Sequence, residues 1–326
     1  MYPWLTQPLA QLTRLIVDQQ LGHALLLKGI DGLGKRELAQ HLAKALLCQH
    51  TGVDINATAS VPCGHCHSCQ LVAAGSHSDL HLISTDQRSI SVDTIRQLTQ
   101  ILSESAQLGQ GKVAVIEQAE KMTEAAANAL LKTLEEPAGQ SSIVLVSSQP
   151  ERLLPTIHSR CQPWLIPVPD SAQVLHWLAE QGVATDNAAT NITALNVNQG
   201  SPLNTRHYLA EGVDQRRREL LQQCAQLRRE PQLLNTVQTG LLAQPVHIVW
   251  LQLLLQDALQ LSLGLSTAQL RLADSEAVCR DMSELGTAKL THMLDELMQW
   301  RRRLQPTVGR PVNAGLQLTQ WLTHLT

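Results

Sequence analysis

The chain has no phenylalanine, and aromatic residues make up only 2% of its 326 positions. Leu, Ile, Val and Ala must therefore fill the core, which favours helices packed through Leu-rich faces. Charge is also scarce, with 16% charged residues and a formal net charge of −3. A protein that coats nucleic acid along its whole length is basic, so any DNA contact here is local or belongs to a partner. No run of about 18 apolar residues occurs, so no membrane-spanning helix is expected. Met1-Tyr2-Pro3-Trp4-Leu5 has neither the basic segment nor the apolar segment of a secretory signal, and a cytoplasmic location is the expectation. No cluster of Asp and Glu suits two-metal nucleotidyl transfer, so the sequence predicts no polymerase site.

The length predicts two or three domains. Residues Leu5 to Gln20 carry Leu5, Leu9, Leu12 and Ile16 at helical spacing. The apolar run 23–27 reads as a buried strand, followed by a glycine-rich turn and a helix from Lys35 to Leu47. Residues 80–84, 113–116 and 142–147 read as further strands. Helices over 91–103 and 123–135 alternate with them, and Pro137 stops the second. Strands alternating with helices imply a mostly parallel sheet covered on both faces. Pro163, Pro167 and Pro169 read as a linker, after which nearly everything is helical, beginning with 171–181. The fold class expected is α/β plus all-α.

A phosphate-binding loop reads G-x-x-x-x-G-K-[ST]. Here the run is Gly29-Ile30-Asp31-Gly32-Leu33-Gly34-Lys35-Arg36. Gly29, Gly34 and Lys35 are suited to cradle phosphate. Arg36 stands where the Mg²⁺-binding hydroxyl belongs, and a cation cannot coordinate a metal. The strand 113–116 leads into Glu117 and Gln118, where an Asp for Mg²⁺ and a Glu to activate water are needed. Gln118 has the shape of a Glu but accepts no proton, and such general-base help is worth about 10²–10⁴-fold in rate. The sequence predicts no ATP hydrolysis by this chain and leaves retention of ATP or ADP open.

Residues 48–79 interrupt the α/β rhythm. They hold Cys48, Cys63, Cys66 and Cys69, with His50, His65, His67 and His77 among them. Four thiolates can enclose a tetrahedral Zn²⁺, and a closed shell argues for a structural site. The alternatives are one of these histidines replacing a cysteine, or four unpaired thiols with no metal. A ferredoxin-like cluster would need another Cys followed by Pro just after Cys69, and none is there. Cys161, Cys224 and Cys279 are scattered and read as buried or semi-buried thiols.

Further motifs carry a resemblance. Asn128 to Pro137, and Leu154-Pro155-Thr156-Ile157-His158-Ser159-Arg160-Cys161, resemble the clamp-loader subunits of bacterial DNA polymerase III, an AAA+ family. The opening Tyr2-Pro3-Trp4-Leu5 and the cysteine run are also family-like. The resemblance covers residues 1 to about 210 well, and the C-terminal third mainly by helical character. A Ser-Arg-Cys motif beside ruined nucleotide motifs resembles the family's non-hydrolysing member, since the gamma and tau motor subunits carry intact motifs.

The resemblance implies an AAA+ P-loop domain over 1–167 with a zinc module at about 48–79. It implies a small helical lid domain over 168–210 and a helical collar over 211–326. It further implies that Arg160 projects into a neighbouring subunit's ATP site as an arginine finger. Such a finger given in trans is worth about 10³–10⁵ in kcat in GTPase systems, and the low end or less is expected here. The polar sensor falls at Ser147 or Ser148, and Leu203 stands where active members carry an arginine. Implied partners are the delta subunit and the gamma/tau motors, with the sliding clamp and primer-template DNA reached through the complex. A polymerase label would thus mean membership of the DNA-directed DNA polymerase holoenzyme.

Arg216–Arg218, Arg228–Arg229 and Arg301–Arg303 invite a DNA-binding reading. Asp214, Glu219 and Glu230 lie beside the first two, and mixed charge marks a solvated or inter-subunit face. The third cluster, near Trp300 and Gln305, is the expected collar contact. Two other functions compete with the clamp-loader reading. An active AAA+ ATPase or kinase conflicts with Arg36 and Gln118. A zinc-dependent DNA-binding module explains the cysteines but leaves the loop remnant and Ser-Arg-Cys unused.

Overall fold

The computed structural model describes residues 1–50, 62–84, 87–108, 111–137, 139–303 and 313–325. Part of the 48–79 module, at 51–61, and Gln305 lie outside the described residues. The chain divides into two units, Met1–Pro169 and Asp170–Thr326.

The first unit opens with α1 (Thr6–Val17), β1 (Ala24–Lys28), α2 (Lys35–Leu47) and α3 (His67–Ala73). It continues through β2 (Leu80–Ile83), α4 (Val92–Ser103), β3 (Lys112–Ile116), α5 (Glu124–Glu135) and β4 (Ser141–Ser147). It closes with the single turn α6 (Pro155–His158) and β5 (Gln162–Leu165). Ser91 accepts from the Thr94 amide and Thr123 from the Ala126 amide, so each side chain caps the helix it precedes. The five strands are parallel, in the order β2-β3-β4-β1-β5. β3 is buried throughout, as a strand covered on both faces must be. One core layer packs Leu26, Ala114, Ile116, Ile143 and Leu145 with Ile95 and Leu98 of α4 and Leu130 and Leu134 of α5.

β5 corrects the expectation of a linker at Pro163. It lies at the sheet edge, with Pro163 beside Leu26 of β1. The Ile166 amide donates to the Lys28 carbonyl at 2.8 Å. By strand alternation Trp164 also faces β1, so the Pro163 nitrogen faces outward, where no ladder bond is required. The helix α3 inside the cysteine module was not anticipated either.

The second unit is all helical, as expected after residue 170. It comprises α7 (Ser171–Glu180), α8 (Ala188–Val197), α9 (Pro202–Ala210), α10 (Val213–Gln226) and α11 (Leu234–Leu242). Then come α12 (Pro245–Ser262), α13 (Glu276–Ser283), α14 (Thr287–Arg303) and α15 (Ala314–Leu322). Leu221, Leu251, Leu254, Leu290 and Leu297 are fully buried there.

Arg216 and Arg229 are exposed, as the mixed local charge implied, but Arg217 departs from a solvated or inter-subunit face. Arg217 is fully buried and paired with Asp274 at 2.5 Å. Its Nε donates to the Tyr208 hydroxyl at 2.9 Å. Arg218 pairs with Asp214 at 2.9 Å. Arg229 pairs with Asp281 at 2.7 Å, across the fold rather than with Glu230 beside it. The Arg218–Asp214 pair is local, four residues apart on α10, whereas Arg217 and Arg229 take tertiary partners that local charge patterning does not show.

Candidate functional site

The sheet order places β1 where the chain reverses direction across the sheet: it leaves β1 for β2 on one side and passes from β4 over to β5 on the other. Ligands of open α/β sheets bind at the carboxyl ends of strands at such a point. Register brings the groups there. Lys28 pairs with Ser147, and Ile116 with Leu145, so the 29–34 turn, Glu117 and Ser148 all leave the sheet at one edge.

The turn is held close to the protein. A Cβ at Gly29 would meet the Ile166 carbonyl oxygen at 2.8 Å. Gly34 has φ of +83°, and a Cβ there would lie 2.6 Å from the Tyr2 ring. Tyr2 stacks on Trp4 at 5.1 Å, and the Trp4 indole donates to the Leu33 carbonyl at 2.9 Å. The family-like Tyr2-Pro3-Trp4 segment thus braces the turn, a contact that sequence spacing did not reveal.

Lys35 is 4% exposed. Its ammonium has three donors, and the chain itself accepts all three. They go to Gly29 O at 2.9 Å, Ile30 O at 2.6 Å and Ser148 Oγ at 3.0 Å. Burial lowers the Lys35 pKa, while Asp31 and Glu120 oppose that shift. Ser148, rather than Ser147, is the serine that meets this lysine. The Ser147 hydroxyl is fully buried and accepts from the Gln149 amide.

Arg36 and Glu117, the residues at the two expected Mg²⁺ positions, contact each other at 2.9 Å. The contact is an ion pair without an aligned hydrogen bond. The Glu117 side chain is 10% exposed, and burial raises its pKa while Arg36 pulls it down. Gln118, at the water-activating position, is exposed and turns the chain with φ of 50°. A cation now occupies the electrostatic role of a bound metal, so these residues do not fit a Mg²⁺ ion.

Arg160 follows α6. Its Nε donates to Glu135 at 2.6 Å, a second nitrogen reaches the same carboxylate, and a third donates to the Thr156 carbonyl at 3.0 Å. About a third of the side chain is exposed. Glu135, at the end of α5, is the positioning group that sequence reading missed. Cys161, Cys224 and Cys279 are buried thiols, pushed up by burial to about 11, 12 and 12.

The sulfurs of Cys48, Cys63, Cys66 and Cys69 all lie within 4.8 Å of one another. Cys63 and Cys69 are 4.0 Å apart. Four thiolates at about 2.3 Å from a central ion are about 3.8 Å apart, so the cluster fits a tetrahedral metal. The α2 end supplies Cys48 and the α3 start supplies Cys66 and Cys69. Burial opposes ionisation at Cys63, yet the His65 and Cys66 amides lower its thiol to about 5. Burial pushes Cys69 up to about 12. His50 and His65, both exposed, group with the half-buried Cys63. His77 is committed elsewhere. Its Nδ1 accepts from the Asp79 amide at 3.1 Å, and its Nε2 bonds Ser68, which donates to Leu47 O at 2.6 Å. That relay ties α3 to the end of α2.

Residues 4–170 match the family described as "DNA polymerase III, delta subunit". Residues 211–326 match "DNA polymerase III, delta subunit, C terminal". DNA polymerase III subunit delta' of Pseudomonas aeruginosa is 36% identical, covering 98% of this chain and 97% of that one. The subunit delta' of Escherichia coli is 32% identical, covering 99% and 95%. Among solved structures, a gamma-subunit-related protein of Thermotoga maritima is 20% identical and covers 97% and 98%, with a TM-score of 0.46. With matches at this identity along nearly its whole length, the chain belongs to the DNA polymerase III subunit delta' family.

Proposed function

We propose that this chain is a non-hydrolysing subunit of the clamp loader, which helps load the sliding clamp onto primed DNA. The observation that carries the reading is the Arg36–Glu117 ion pair where a catalytic metal would stand. Lys35, with every donor met by the chain, supports it. Residues 1–167 then act as a fixed P-loop-like platform. Residues 168–210 form the lid, with the half-buried Leu203 at the sensor position. Residues 211–326 form the collar, a reading supported by the separate family match to that segment.

Arg160 completes a neighbouring motor's ATP site. Its guanidinium stays charged and presents a planar fork to phosphate oxygens. Glu135 holds it in place until a neighbour's γ-phosphate competes for it. Zinc at Cys48, Cys63, Cys66 and Cys69 orders the inserted module and supplies no reaction chemistry. The partners are the delta and gamma/tau subunits, working in the cytoplasm. Among the described residues no helix is long and apolar enough to cross a membrane.

The test is ATP hydrolysis by a reconstituted clamp loader carrying Arg160→Ala, with the chain alone as control. Expected are no turnover by the chain alone, clamp- and DNA-stimulated turnover by the complex, and a clear loss with the substitution while assembly persists. Normal turnover by the substituted complex would reduce Arg160 to a structural residue. Turnover by the isolated chain would sink the reading of Arg36 and Gln118.

A further inference from the structure

The helical unit carries a second group of metal-ligating side chains, independent of the function proposed above. We infer that His292, Glu296 and His324 form a site for a divalent transition metal, with zinc the best match. His292 and Glu296 are four residues apart on α14, hence on one face of the helix. His324 lies just past α15. The Trp321 indole donates to the Met293 carbonyl at 3.0 Å and docks α15 so that His324 reaches the same point.

The three ligand atoms lie within 4.8 Å of one another. Each histidine Nδ1 is 3.5 Å from Glu296 Oε2. Ligands about 2.1 Å from a tetrahedral zinc are about 3.4 Å apart, close to that spacing. Glu296 Oε2 is buried and has no hydrogen-bond partner. The Glu296 side chain is 39% exposed and both histidines are exposed, so the covered oxygen sits at a solvent-facing point that an ion can reach, and a cation there satisfies it. Two imidazoles and one carboxylate suit zinc, nickel or copper, and not calcium or magnesium. The site opens on a cleft of about 300 Å³ lined by Gln299, Gln317, Gln320, Trp300 and Trp321. The cleft leaves the fourth position to water, with glutamine amides beside it. A bound ion would cross-link α14 to α15.

The competing arrangement is a metal-free His–Glu–His ion pair. Zn²⁺ is titrated calorimetrically into the full chain and into His324→Ala and Glu296→Gln chains. The proposal expects wild type to take a second, weaker equivalent beyond that of the cysteine cluster. Losing one outer-shell partner already costs about 10–100-fold, so loss of a direct ligand should weaken that equivalent by at least about tenfold. With Co²⁺ as probe, the second equivalent should bring no thiolate charge-transfer band. Cu²⁺ should quench tryptophan fluorescence in wild type and less in either variant. Absence of a second equivalent in wild type, or an equal second equivalent in both variants, would overturn the site. The first equivalent reports separately on the cysteines, so the two assignments fail independently.

Discussion

Arg217→Ala should destabilise the helical unit by about 4 kcal/mol. The side chain is fully buried and Asp274 is 1% exposed, so the substitution strands a carboxylate away from water. Breaking one half of a buried pair costs about 3–5 kcal/mol. Two features act in opposite directions on that range. Arg218 stays 3.7 Å from Asp274, and the Ser275 hydroxyl still donates to it at 3.0 Å, which softens the loss. Tyr208, whose hydroxyl burial pushes up to about 12, loses its donor, which adds about 1 kcal/mol. Urea unfolding followed by tryptophan fluorescence reads the effect, because Trp250 packs edge-on against Tyr208 at 6.4 Å. The chain has two units, so the shift belongs to one transition and should leave the other unmoved. The paired change Arg217→Met with Asp274→Asn removes both charges and should recover at least half of the loss. A cost below about 1 kcal/mol for Arg217→Ala, or a double variant as unstable as the two singles summed, would refute the argument.

Glu117→Gln should flatten stability against pH. Burial raises the Glu117 pKa above its unfolded value, so its contribution is full below the unfolded pKa and is lost as pH rises through the folded one. Unfolding free energies from about pH 4 to 7 should fall less in the variant, and an unchanged slope would contradict this. Gly34→Ala should cost about 1–3 kcal/mol from backbone conformation, and more from displacing the Tyr2 ring, read as a lowered Tm. A chelator strong enough to strip the cysteine cluster should release one zinc per chain and lower the Tm of the first unit, and Cys66→Ser should release it without chelator. Elemental analysis showing no zinc in either protein would remove that cofactor.

The sequence exposed what periodicity and motif spacing encode. The apolar runs at 23–27, 113–116 and 142–147 became three adjacent strands, because a strand buried on both faces must be apolar throughout. The cysteine spacing likewise foretold a cluster that the fold draws together. Pro163 misled, because a proline says strand breaker until the sheet edge is known. Arg217 misled because its partner is 57 residues away. That Ser148 and not Ser147 meets Lys35 needed the folded chain, and Glu135 gained meaning only beside Arg160. His292 and Glu296 carry only the common four-residue helical spacing, and His324, just past α15, joins them through the fold.

The proline in β5 also governs how this subunit can meet others. An exposed strand edge is a template on which a second chain can grow the sheet. On the outer side of residues 162–165, alternation leaves positions 163 and 165 facing away from β1. Proline removes the amide at the first, so only Leu165 is left to offer a donor to an incoming strand. Lateral strand addition is thereby disfavoured at that edge of the sheet. At this edge a neighbouring chain is met through side-chain surfaces, which are specific to sequence, more readily than through backbone pairing, which is not.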